Sequence, residues 1–127
     1  MLNHLSFGVS DLARASRFYD SVLGTLGYSR THSNERETAY GPGQDMTFWL
    51  YPAESGKTVV GSRMHLAFDA PSRAAVEAFV AAAVALGASV VRPAGERRDI
   101  SADYFGAIID DLDGHRIEVV VAPATMH

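Results

Sequence analysis

NHLSFGVSDLARASRFYDSVLGTLG, residues 3–27, and MHLAFDAPSRAAVEAFVAAAVALG, residues 64–87, follow one pattern twice. Each opens on a short apolar run around a histidine, passes a capping residue into a helical stripe, and stops at Leu-Gly. In the first copy Ser10 and Asp11 offer an N-cap, and Leu12, Ala15, Tyr19, Val22, Leu23 and Leu26 recur at helical spacing. In the second, Ser72 follows Pro71 as the cap, and Val76, Phe79, Val80, Ala83 and Leu86 form the stripe. Gly27 and Gly87 suit the left-handed conformation that commonly ends a helix. The interval from His4 to His65 matches that from Gly27 to Gly87 to within one residue, which a turn absorbs. The chain is therefore read as an internal duplication.

Strand-like segments extend each copy. Leu2–Val9, Tyr28–Ser33, Thr38–Tyr40 and Met46–Tyr51 belong to the first, with Gly41-Pro42-Gly43 as punctuation. Met64–Asp69, Ser89–Arg92, Tyr104–Ile109 and Arg116–Val121 belong to the second, and Asp113-Gly114 is a hairpin signal between the last two. Each half reads βαβββ. The expected fold is a single α+β domain over residues 1–127, with module one at 1–52, a linker at 53–62 and module two at 63–122. Edge-to-edge pairing of the modules predicts a curved, cup-shaped mixed sheet of about eight strands with helices outside.

Composition narrows the function classes. With 47% hydrophobic and 20% charged residues, the 127-residue chain has the make-up of a folded globular domain. Its formal net charge of -4 gives no electrostatic reason to seek nucleic acid or an anionic membrane, and Arg97-Arg98 reads as a solvated loop. No cysteine is present, so neither disulfides nor a thiolate metal site can form. No run is long enough to span a bilayer, and the first residues lack a secretory pattern, so the expected location is the cytoplasm.

Strand alternation brings the chemistry into focus. Leu5 and Phe7 share one face of the first strand and His4 and Ser6 the other; Met64, Leu66 and Phe68 oppose His65 and Ala67 in the equivalent strand. The large apolar side chains belong under the helices, which leaves both imidazoles for the concave face. Glu118 stands between Ile117 and Val119, where a carboxylate is costly to bury unless it is paired, hydrogen-bonded or metal-bound. Two imidazoles and one carboxylate with open positions suit a divalent ion such as Zn, Ni, Fe, Mn or Co. Trp49 and Tyr104 are candidate pocket-lining residues, and Arg116, with the strand parity of Glu118, is a candidate for meeting an anionic substrate. His115 and His127 are expected to face solvent, and His32 to lie at the surface near a loop. Asp110, Asp111 and Asp113 are read as turn residues rather than a calcium site.

Three stretches resemble the vicinal oxygen chelate superfamily, which includes glyoxalase I, extradiol dioxygenases, fosfomycin-resistance enzymes and bleomycin-resistance proteins. They are MLNHLSFGVSDLARASRFYDSVLGTLGY, RMHLAFDAPSRAAVEAFVAAAVALGA and YFGAIIDDLDGHRIEVV. The resemblance implies a divalent metal held by His4, His65 and Glu118, a small oxygenated substrate chelated to it, and lyase, isomerase or dioxygenase chemistry. It also implies a homodimer. Glyoxalase I carries a further glutamate on the last strand of its first module. Here that strand reads MTFWLYPA, with Trp49 or a neighbour at the corresponding place, so ordinary glyoxalase I activity is not expected. The alternative expectation is a metal-independent protein that sequesters a small molecule, as bleomycin-resistance proteins do.

Overall fold

A computed structural model describes residues 1–54 and 57–122; His127 and part of the expected linker lie outside them. The chain divides into two compact units, the first running to Val60 and the second starting at Gly61.

The first unit contains β1 (Leu5–Val9), α1 (Leu12–Gly24), β2 (Ser29–Ser33), β3 (Thr38–Gly41) and β4 (Phe48–Pro52). They form a four-stranded sheet in the order β1-β4-β3-β2, with β1 parallel to β4 and the other neighbours antiparallel. Alternation buries Phe7 and Val9 of β1 with Phe48 and Leu50 of β4, against Phe18, Tyr19, Val22 and Leu23 of α1. Tyr19 meets the Phe48 ring edge-on with 4.9 Å between centroids. Each such aliphatic or aromatic side chain contributes about 1.5–3 kcal/mol through burial.

The second unit repeats the plan with β5 (Leu66–Asp69), α2 (Arg73–Ala85), β6 (Ser89–Glu96), β7 (Phe105–Asp110) and β8 (Arg116–Val121). Its sheet order is β5-β8-β7-β6, again with the first strand parallel to the last. Val76, Phe79 and Ala83 of α2 are buried with Ile109, Ile117 and Val119 of the sheet. The βαβββ order expected for each half is thus present, and the eight strands among the described residues are distributed as two four-stranded sheets. No helix among the described residues is long and apolar enough to cross a membrane.

Both helices begin and end as the sequence predicts. Asp11 accepts the Arg14 backbone N–H at 3.0 Å, and Ser72 accepts that of Ala75 at 3.1 Å. At the other end Gly27 and Gly87 have φ of 89° and 102°. The following N–H reaches back five residues in each case, from Tyr28 to the Leu23 carbonyl (3.1 Å) and from Ala88 to the Ala83 carbonyl (3.0 Å). This is the same Schellman closure made twice.

Some boundaries differ from expectation for identifiable reasons. β1 starts at Leu5, where its ladder with β4 begins, so Leu2 and His4 precede the strand. β4 starts at Phe48, where its ladders with β1 and β3 begin, after a turn closed from Asp45 N–H to the Pro42 carbonyl at 3.0 Å. β6 runs four residues beyond the expected Arg92, through Pro93, because an edge strand tolerates a missing donor and its register shifts twice before Gly95. Gly27→Ala and Gly87→Ala should each lower unfolding free energy by about 1–2 kcal/mol, the cost of a left-handed L-residue, as read from urea midpoints at unchanged slope. Unchanged midpoints would remove these closures from the account of how the helices stop.

Candidate functional site

In the second unit the parallel register places Ala67 of β5 opposite Glu118 of β8, and Glu118 opposite Ile108 of β7. Paired residues project from the same face of a sheet. His65, two residues before Ala67, shares that parity from its position just ahead of β5. The methyl of Ala67 fills little of the space between them. His65 Nε2 and Glu118 Oε1 stand 3.5 Å apart, the imidazole exposed and the carboxylate nearly covered.

The other carboxylate oxygen is taken. Tyr104, immediately before β7, donates its hydroxyl to Glu118 Oε2 at 2.6 Å. Burial, followed by this hydrogen bond and the charge of Glu118, pushes the phenol from 10.0 up to about 12, while Arg97 pulls it down. Arg97 also fixes the Tyr104 backbone, donating its N–H to the Tyr104 carbonyl at 2.8 Å. The Arg97 guanidinium is gripped by both oxygens of Asp99, at 2.9 and 2.7 Å, and that pairing is the main reason its pKa is raised; Glu118 and Tyr104 add smaller contributions. The expected solvated pair Arg97-Arg98 therefore divides. Arg98 reaches outward to Glu96, whereas Arg97 belongs to the surroundings of Glu118. No spacing in the sequence marks it, because the loop that returns Arg97 to Tyr104 is closed by backbone bonds.

Arg116 has the predicted parity, and its guanidinium is engaged by Asp110 at 3.0 and 3.3 Å. Asp111 supports the turn: its Oδ1 accepts the N–H groups of Asp113 and His115, each at 2.9 Å. The solvent-facing position expected of His115 is a correction. The residue is only 7% exposed, drawn inward by Nδ1 lying 3.0 Å from Asp111 Oδ2.

In the first unit His4 precedes β1 as His65 precedes β5, and its Nδ1 lies 2.8 Å from Asn3 Oδ1. Ser6, Trp49, Ala39 and His32 form one row across the face opposite α1. Trp49 stacks on Tyr51 with 6.0 Å between ring centroids and 8° between planes, and donates its indole N–H to the Met46 carbonyl at 2.9 Å. The His32 ring lies 5.5 Å from Trp49 and its Nε2 2.9 Å from Glu37 Oε2, so the residue expected at the surface is half-buried on this face of β2. Register also makes an equivalence explicit. Trp49 opposes Ser6, two residues after His4, as Glu118 opposes Ala67, two residues after His65. The indole occupies in one module the place that the carboxylate holds in the other.

Of the predicted site residues, the structure brings His65, Glu118 and Tyr104 together within the second unit. Among the described residues no group of three or more His, Asp or Glu side chains is gathered to hold a metal ion. The pair itself fits one in its spacing. Donors about 2.1 Å from a common ion at the tetrahedral angle stand about 3.4 Å apart, and Nε2 and Oε1 are separated by 3.5 Å. A direct hydrogen bond between them would be shorter.

Two βαβββ units, each with a histidine just ahead of its first strand, define a class of small α+β proteins. The chain belongs to the glyoxalase-like domain family, whose model matches residues 4–120. Its structure is similar to a glyoxalase/bleomycin resistance protein from Albidiferax ferrireducens T118, with 31% identity over 95% of this chain and 98% of that one and a TM-score of 0.83. The fosfomycin resistance protein FosX from Mesorhizobium loti has the same fold at 23% identity, covering 99% of this chain and 95% of that one with a TM-score of 0.72. A glyoxalase/bleomycin resistance protein/dioxygenase family enzyme from Burkholderia phytofirmans PsJN also shares the fold, at 17% identity, 94% and 96% coverage and a TM-score of 0.71. No curated protein matches the sequence significantly.

Because the folded phenol titrates above its unfolded value, stability linked to neutral Tyr104 is fully present below about pH 10 and is lost as pH rises through about 12. Phenolate absorbance, taken as the difference between wild type and Tyr104→Phe without metal, should locate this ionisation near 12. Glu118→Gln should lower it part of the way towards the ordinary value, since burial is the larger cause. An ionisation unmoved by Glu118→Gln would contradict the hydrogen bond.

Proposed function

We propose that this chain is a divalent-metal-dependent enzyme of the glyoxalase/dioxygenase type, a lyase, isomerase or dioxygenase, acting on a small oxygenated substrate. The observation that carries this reading is the 3.5 Å separation of His65 Nε2 from the Oε1 of a carboxylate whose second oxygen is already bonded. A carboxylate covered to this degree is costly without a cationic or hydrogen-bonding partner. Oε1 points at a ring nitrogen that can donate an electron pair.

His65 and Glu118 would hold the ion, with His4, supplied by module one (1–52), as third ligand to module two (63–122). The residues at 53–62 serve as the linker, and the active form is a homodimer. When bound, such an ion supplies a Lewis acid for a developing enolate or alkoxide, or a redox centre for oxygen chemistry. The protein's own groups prepare the place. Tyr104 occupies Oε2 and turns Oε1 towards His65, and the small side chain of Ala67 leaves room beside it. Arg97 adds positive potential near Glu118 and Tyr104 and complements an electron-rich substrate.

A second reading, a small-molecule sequestering protein that needs no metal, is favoured by one separate observation. The near-parallel rings of Trp49 and Tyr51, with His32 beside them, offer a flat aromatic surface. Metal titration of protein purified in chelator separates the two readings. The enzyme reading expects one tightly held ion per chain. His4→Ala, His65→Ala and Glu118→Ala should each weaken it by more than the roughly 10–100-fold typical of losing an outer partner, with melting temperatures of the metal-free forms as a folding control. Uptake undiminished in His4→Ala would break the three-ligand set, and no uptake of zinc, nickel, iron, manganese or cobalt by wild type would favour sequestration.

A further inference from the structure

We infer that Tyr104 is a positioning residue that makes Glu118 a one-oxygen donor, keeping a coordination position open for substrate. The inference rests on the metal reading above and adds a role for a side chain that acts through the carboxylate.

A free carboxylate can bind a divalent ion through one oxygen or both, and the second mode occupies a position that a substrate oxygen would need. Tyr104 removes that choice. Its hydroxyl donates to Oε2 at 2.6 Å, in the short range of charge-assisted O–H bonds. The backbone that carries the phenol is held from two sides. The Arg97 N–H fixes the Tyr104 carbonyl at 2.8 Å, and Phe105, the next residue, begins the β7 ladder opposite Val121. Glu118 is itself fixed by pairing to Ile108 and Ala67 on both flanking strands. With both backbones set in the sheet, the hydroxyl bond engages Oε2, so Oε1, on the His65 side, is the oxygen left to donate.

Cobalt(II) alone, added to chelator-treated full-length protein, reads both affinity and coordination number through its visible absorption. Wild type should give the strong bands of a low-coordinate ion. Tyr104→Phe, which keeps the ring and removes only the hydroxyl, should bind cobalt about 10–100-fold more weakly or show weaker bands as the second oxygen joins. Because Tyr104 acts through Glu118, adding Tyr104→Phe to Glu118→Gln should cost little beyond Glu118→Gln alone, whereas independent structural effects would add. Equal affinity with an unchanged spectrum in Tyr104→Phe, or full additivity in the double variant, overturns the inference while the metal site stands. A wild-type protein that takes up no cobalt overturns the metal reading and this inference with it.

Discussion

A carboxylate held in an apolar strand governs the second unit. Glu118 is 8% exposed between Ile117 and Val119, both fully buried. Leaving such a group without partners would cost several kcal/mol, so the surrounding positions have to meet its needs. One oxygen is satisfied by Tyr104. The field of Arg97 reaches the same group, and Arg97 is in turn locked to Asp99. The loop between β6 and β7 is closed onto this arrangement through the backbone of Tyr104. Fold and site are thus coupled: the hairpin register that buries Ile117 and Val119 is the register that turns Glu118 to the opposite face.

What was legible in the sequence was local or periodic. The helix caps at Asp11 and Ser72 and the Schellman glycines are decided within a few residues, and each appears where expected. The facing of His65 with Ala67, and of Glu118 between two core residues, follows from period-two alternation, which survives small errors in strand ends. The less visible features depend on partners distant in sequence or on loop closure. β6 extends through Pro93 because, among the described residues, it pairs only with β7. His115 is drawn in by an aspartate whose side chain organises the turn, although an Asp-Gly turn by itself suggests exposure. Arg97 carries no periodic signal, and only the closed loop shows that it differs from Arg98.

The duplication matters most where it is broken. Both modules keep a histidine one residue before the first strand and a small residue two positions later, so backbone and register are conserved between the copies. The residue opposite that small side chain differs in kind. In the second module it is Glu118, held by a phenol. In the first it is Trp49, which bonds the Met46 carbonyl and stacks on Tyr51. The neighbours of Trp49 there are Ser6, Ala39, Tyr51 and His32, the last already engaged by Glu37. An indole needs one acceptor for its N–H and otherwise prefers ring faces, and this environment provides both. Equivalent backbone positions are thus chemically unlike: one module presents a buried anion beside an imidazole, and the other a flat aromatic surface.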